Sequence, residues 1–313
     1  EVVLTLRKAE ERELLRRENK ALREAIRKES RFEEMLGKSF PYDFIAEAID
    51  QTRGWFYTLH VIGALLFDDL AYKSVVCAGH VVDEQGEKMS KSKGNVLDPW
   101  EVFEKVGVDA VRLQFCSTSP EAPKRFSYGI MSEGITPLLT VLWNSCYFAS
   151  EVLAKKAATR DSPLKLEDKW IISRTNSVVS AVDAALGRNE YHACIQELKS
   201  FVMDDFSRWY IRTVRDRAFA PDDALQYTFR YVISRVTRML APFAPYVSEE
   251  IYQLLVKEMA QSVHLAEWPR AEAVDAELES GMAVARGVIE AVLSARDKMQ
   301  RGLRWPVKRV WVV

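Results

Sequence analysis

A chain of 313 residues, 48% hydrophobic and 28% charged, has room for two domains and enough apolar surface for a sizeable core. Its 44 basic and 45 acidic side chains nearly cancel, so net charge neither requires nor rules out a nucleic-acid partner. No signal peptide and no apolar run of membrane-spanning length occurs, which excludes a helical membrane protein and reads as a cytoplasmic chain with no membrane partner.

Residues 1–38 are dense in charge and poor in glycine, with opposite charges three or four apart and a thin stripe of Leu15, Leu22, Ile26 and Leu36. That spacing predicts an amphipathic helix stopped at Gly37, solvated and packed on the next domain; a coiled coil or RNA-facing arm is the alternative. Tyr42 to Ile49 then reads as a strand ending at Asp50-Gln51-Thr52, Arg53 to Phe67 as a helix, and Lys73 to Gly79 as a second strand. Strand, helix and strand at this length form a βαβ unit with parallel strands. Ligands bind beyond the carboxyl ends of such strands. Glu47, Asp50 and Gln51 lie at the first of those ends, although Asp50 is also a natural cap for the helix near Arg53. Trp55 is either core or the wall of an apolar pocket. His60, on an apolar helix, reads as a packed histidine.

A lysine-rich loop follows the second strand: Asp83-Glu84-Gln85-Gly86-Glu87-Lys88-Met89-Ser90-Lys91-Ser92-Lys93-Gly94-Asn95-Val96. Its ammonium groups, hydroxyls and backbone N–H groups suit a polyphosphate whose charge shifts during reaction. By composition alone it is equally a solvated basic hairpin. Asp98-Pro99-Trp100 opens a helix, Ala110 to Phe115 continues in another, and Ser117 to Lys124 is a serine- and proline-rich linker near a domain boundary.

From Phe126 to Ser294 the pattern is helical with brief breaks, which predicts an antiparallel bundle. Arg208, Trp209, Arg212 and Arg215 share helical spacing there, either as an ordinary amphipathic face or as a ridge for phosphates. The last residues, 304–313, turn strand-like. The four cysteines, Cys77, Cys116, Cys146 and Cys194, stand apart in apolar runs with no zinc spacing and read as buried reduced thiols.

Lys88-Met89-Ser90-Lys91-Ser92 matches letter for letter the signature loop of class I aminoacyl-tRNA synthetases. From about Phe40 onward the chain resembles the isoleucine branch of that family. The ties are Asp50-Gln51-Thr52-Arg53-Gly54-Trp55-Phe56-Tyr57, Lys169-Trp170-Ile171-Ile172-Ser173-Arg174, Trp209-Tyr210-Ile211-Arg212, Leu240-Ala241-Pro242-Phe243-Ala244-Pro245 and Val263-His264-Leu265. The resemblance implies an α/β partial Rossmann-like parallel sheet followed by a mainly α-helical bundle. The expected division is a charged helix over 1–38, the second half of a catalytic domain over 39–125, an anticodon-binding domain over 126–300 and a truncated junction over 301–313.

It also implies a ligase that activates L-isoleucine with ATP and Mg2+ and transfers it to tRNA(Ile). Lys88 and Lys91 would act on the phosphates, with Met89, Ser90 and Ser92 completing the ATP-binding loop. Glu47 would meet the amino group, Asp50 and Gln51 the ribose and amino acid, and Trp55 the side-chain pocket. Arg208, Trp209 and Arg212 would contact tRNA. The family's His-Ile-Gly-His-type motif and its inserted editing domain are absent from these residues, and Ala48 stands where glycine is expected. A partner polypeptide carrying the histidine motif is therefore expected. The alternative is a non-catalytic tRNA-binding module or one subunit of a split synthetase.

Overall fold

The computed structural model describes residues 17–18, 20–21, 42–154, 163–256, 260–300, 302, 304–306, 309 and 311. Residues 17–18 and 20–21 are helical; the rest of the expected 1–38 helix lies outside the described residues. Two compact units are present. The first includes the described residues up to Ser92 together with Pro120–Arg125, and the second comprises Lys93–Ser119 and the chain from Phe126.

In the first unit β1 (Tyr42–Ala48) pairs in parallel with β2 (Tyr72–Ala78), Tyr42 opposite Tyr72 and Ala48 opposite Ala78. Helix α1 (Trp55–Leu66) makes the crossover, as its apolar spacing requires. Its inner side buries Phe56 and Leu59 against Ile45 and Ala71, a small core edged by Tyr42, Tyr72 and Cys77. A second parallel pair joins β3 (Val81–Val82) to β4 (Lys124–Arg125). The serine- and proline-rich segment is thus bonded rather than loose. Gly79 N–H donates to Pro120 O at 2.8 Å and Lys124 N–H to His80 O at 2.8 Å.

The second unit is helical. Helix α2 (Pro99–Val106) starts where Asp98 accepts from the Trp100 and Glu101 N–H groups with proline in the first turn, and α3 (Val108–Cys116) follows across Gly107. Then come α4 (Tyr128–Gly134), α5 (Thr136–Val152), α6 (Leu166–Gly187), α7 (Tyr191–Ser200), α8 (Asp223–Leu240), α9 (Pro245–Ile251) and α10 (Ala276–Lys298). Their inward stripes form one large core around residues such as Leu142, Ile171, Val179, Phe206, Phe229 and Met239.

Phe201–Ile211 continues α7 as a π-helix, where an α-helix was expected. Its wider turn suits the side chains: Phe201, Phe206 and Tyr210, spaced five and four apart, stack in a column inside the core. The strand expected at the end is absent from the described residues. Arg304 and Trp305 instead lie in a turn and bend, because Arg296 donates 2.6 Å hydrogen bonds to both Gly302 O and Trp305 O and folds the segment back beyond α10. Among the described residues no helix is long and apolar enough to cross a membrane.

Candidate functional site

Parallel pairing brings two polar clusters to one edge of the first unit. Glu47, exposed on β1, stands opposite Cys77 on β2, and both strands run out within a residue of that level. Beyond β1 the chain tightens into a three-ten turn, Ile49–Arg53, that presents Asp50 and Gln51. Gln51 ties this turn together. Its Nε2 donates to Asp50 Oδ2 at 3.1 Å, and its Oε1 accepts from the Trp55 N–H at 3.0 Å, in the first turn of α1. The helix start is therefore served by Gln51, not by Asp50, and the Asp50 carboxylate stays exposed at the strand end. Trp55 is 45% exposed, so it stands on the site side of α1 instead of in the core that takes Phe56.

Beyond β2 the chain crosses Gly79 and β3 into the signature loop. Val82 bridges Lys88 in antiparallel fashion. Between them a tight turn closes: Asp83 N–H donates to Glu87 O at 2.9 Å, Asp83 Oδ1 accepts from the Glu87 N–H at 2.7 Å, and Gly86 takes a φ of +88°. Lys88 thus leaves directly from a strand bridge, exposed, while Met89 and Ser90 are half-buried. Lys91–Lys93 form a three-ten turn, Ser90 Oγ lies 3.2 Å from Ser92 Oγ, and Gly94 at φ +66° redirects the chain toward Asp98. The loop has a fixed base and a short turn at the lysines. Two supports of that base, Gly79 and Asp83, escaped sequence reasoning; their signals were a glycine ending a strand and the turn composition Asp-Glu-Gln-Gly.

In the helical unit, Arg208 and Arg212 line one open groove of about 560 Å³ with Arg215, Ser207, Asn144 and Phe148. Arg208 pairs with Asp204 at 2.7 Å yet keeps 69% of its side chain exposed, and Arg212 and Arg215 are exposed. Trp209 is not part of this groove. It turns toward Arg286, whose guanidinium carbon lies 5.5 Å from its ring centre. Behind this surface Asp205, nearly buried, accepts from Arg174 Nε at 2.8 Å and also pairs with Arg286, holding the π-helical segment in place. A second buried anchor is Asp168, which accepts from Tyr210 Oη at 2.7 Å and from both Arg217 terminal nitrogens at 3.0 and 2.9 Å.

The expectation for the thiols is met in part. Cys146 and Cys194 are buried and free, while Cys77 and Cys116 are free but half-buried. Burial pushes the Cys146 thiol up to about 12 and, with smaller opposing effects, the Cys194 thiol to about 11. Among the described residues no cluster of three or more His, Cys, Asp or Glu side chains has the arrangement of a metal site. A magnesium ion accompanying a nucleotide would fit without one, because such an ion keeps water and phosphate oxygens as its ligands.

Comparisons with known proteins agree with this geometry. Residues 25–127 match the family of class I tRNA synthetases for isoleucine, leucine, methionine and valine, and residues 168–311 match the anticodon-binding domain of tRNA ligases. The isoleucine–tRNA ligase of Archaeoglobus fulgidus is 39% identical over 295 residues, 90% of this chain and 28% of the relative. That of Thermus thermophilus is 38% identical over 292 residues, 88% of this chain and 28% of the relative. The chain thus spans under a third of the length of these relatives. A leucyl-tRNA synthetase of Agrobacterium radiobacter K84, solved in a ternary complex with tRNA and LeuAMS, superposes with a TM-score of 0.60 at 23% identity. It covers 76% of this chain and 29% of its own, a likeness of fold.

Proposed function

Because the chain belongs to the class I aminoacyl-tRNA synthetases, we propose that it supplies the signature-loop and anticodon-binding parts of an isoleucine–tRNA ligase. In this reading L-isoleucine and ATP, with Mg2+ on the phosphates, react at the edge formed by β1 and β2, and tRNA(Ile) is held by the helical unit. The observation that carries it is the convergence of the Glu47–Gln51 cluster and the signature loop at the carboxyl ends of two adjacent parallel strands.

Each proposed role follows from position and chemistry. Glu47 at the strand end attracts the ammonium group of the amino acid. Asp50 and Gln51, already hydrogen-bonded to each other, present acceptors and a donor to ribose hydroxyls and the amino acid. Trp55 offers an apolar wall. Lys88 and Lys91 stabilise the charge that builds on the departing pyrophosphate, an electrostatic contribution without covalent chemistry. Met89, Ser90 and Ser92 give the loop its shape around ATP. Arg208 and Arg212, joined by Arg215, hold tRNA phosphates, and Trp209 supports them from the inner side through Arg286.

The test is isoleucine-dependent ATP–pyrophosphate exchange, measured on the chain alone and combined with a polypeptide carrying the His-Ile-Gly-His-type motif. Lys91→Ala is expected to lower exchange about 100-fold, the scale of losing one transition-state donor. Equal exchange with and without the lysine would overturn the assignment. The second reading, a tRNA-binding module without activation chemistry, is favoured by one observation: none of the four histidines has another three positions away. Exchange absent in both arrangements, with tRNA binding retained, would select it.

A further inference from the structure

The two flanks of α5 carry unlike surfaces. On one, Asn144 and Phe148 line the groove of Arg208, Arg212 and Arg215. On the other, Trp143, Tyr147 and Ser150 line a second pocket of about 260 Å³, closed by Ile251, Leu254 and Leu255. Helical spacing explains the division. Residues 144 and 148 are one turn apart on one side, and residues 143, 147 and 150 form a row on the other. The exposed crest of the helix lies between them.

The second pocket is unusual for solvent-facing surface. Trp143 is 43% exposed, Tyr147 65% and Leu254 53%, and no charged side chain lines the cavity. A cation or a phosphate finds no partner there. A flat ring does, since two aromatic faces and three aliphatic side chains surround a volume of about one heterocycle. The neighbouring groove has the complementary chemistry, with Arg212 and Arg215 exposed and Arg208 balanced by Asp204 alone. The two surfaces are separated by one helix, about 10 Å across with its side chains.

We propose that the pocket of Trp143 and Tyr147 receives one unpaired base of a single-stranded RNA segment whose phosphates lie in the arginine groove. The inference rests on the tRNA-binding reading and deepens it by naming the recognised feature: a splayed-out base, not a duplex. Phosphate contacts alone position RNA without reading it, and stacking on aromatic side chains is how proteins engage unstacked bases. A peptide segment is the less fitting occupant, because the pocket holds one side-chain-sized group and borders a cationic groove.

The experiment measures binding of the chain to a stem-loop RNA with a fluorescent purine analogue in its loop, beside a plain duplex of the same length. Trp143→Ala should weaken stem-loop binding about tenfold, within the range seen when a base loses its aromatic platform. Duplex affinity should not change, and the fluorescence quench seen with the native chain should disappear. Trp143→Phe should restore most of both. Tyr147→Ala, at a more exposed position and therefore safe for folding, should show a smaller loss of the same kind. Unchanged stem-loop affinity and quench in Trp143→Ala, with binding lost in Arg212→Ala, would overturn the base pocket and leave tRNA binding standing. No binding of either RNA by the native chain would overturn both.

Discussion

Gly79 occupies a place where no side chain fits. A Cβ built there would sit 2.6 Å from the carbonyl oxygens of both Glu121 and Ala122, and backbone atoms cannot retreat as a flexible side chain would. Gly79→Ala is expected to cost about 1–3 kcal/mol through overpacking, read as faster proteolysis around residues 79–90. Asp168 poses the opposite problem, a fully buried carboxylate whose removal strands Tyr210 and part of Arg217. Asp168→Ala should destabilise the helical unit by about 3 kcal/mol in urea titration, as expected when one partner of a buried pair is removed. The thiols give a third residue-scale outcome. With their ionisation suppressed by burial, Cys146 and Cys194 should resist alkylation in the folded chain at neutral pH, and Cys77 and Cys116 should react first. Mass spectrometry of partly alkylated chain reads the order.

At the scale of elements, helix ends decide much of the stability. Helix α9 has no cap of its own; the nearly buried Asp109 on α3 accepts from the Tyr246 and Val247 N–H groups at 3.3 and 2.6 Å. From the same helix Arg112 donates to Pro242 O and Phe243 O. Asp109→Ala should cost about 1–2 kcal/mol by uncapping α9. Asp222 caps α8 through the Leu225 N–H. Burial raises its pKa, but hydrogen bonds from Arg217 and Leu225 and the guanidinium charge outweigh burial, so the folded value lies below the usual carboxylate range. Stability from this group is therefore full above about pH 4, the unfolded value, and is lost as pH falls through the lower folded value. The Asp222→Asn chain should show a flatter acid limb in thermal melts than the parent.

Elements with local causes were legible in the sequence. The parallel pair, α1, the Asp98 cap of α2 and the helical spacing of the second half all follow from residues within a few positions of one another. The features that escaped depend on distant or unusual partners. The capping of α9 by Asp109 crosses more than a hundred residues. The π-helix over Phe201–Ile211 hides because its apolar residues still look helical until their spacing of five and four is compared with a buried column. For the same reason the inward turn of Trp209 toward Arg286 could not be read from its neighbours Arg208 and Arg212. In the candidate site, the residues were visible as types and the hydrogen bonds of Gln51 and Asp83 were not.

At the scale of the whole molecule the two units differ in how much they bury. The first has a core of four buried apolar residues, Ile45, Phe56, Leu59 and Ala71, while the second has a continuous core running from Ala110 to Val263. Amide hydrogen exchange should accordingly protect α6 and α8 strongly and leave β1 and β2 opening at much lower free energy. Similar protection in both would contradict this. The order of synthesis matters as well. Residues 93–119 belong to the helical unit, yet the chain returns to the first unit over Pro120–Arg125, where β4 pairs with β3. During translation Val81 and Val82 leave the ribosome before α2 and α3 exist, and their partners Lys124 and Arg125 come only after both. The base of the lysine loop is thus completed from behind: a nascent chain halted before Lys124 carries every residue of the signature and lacks the strand that steadies it.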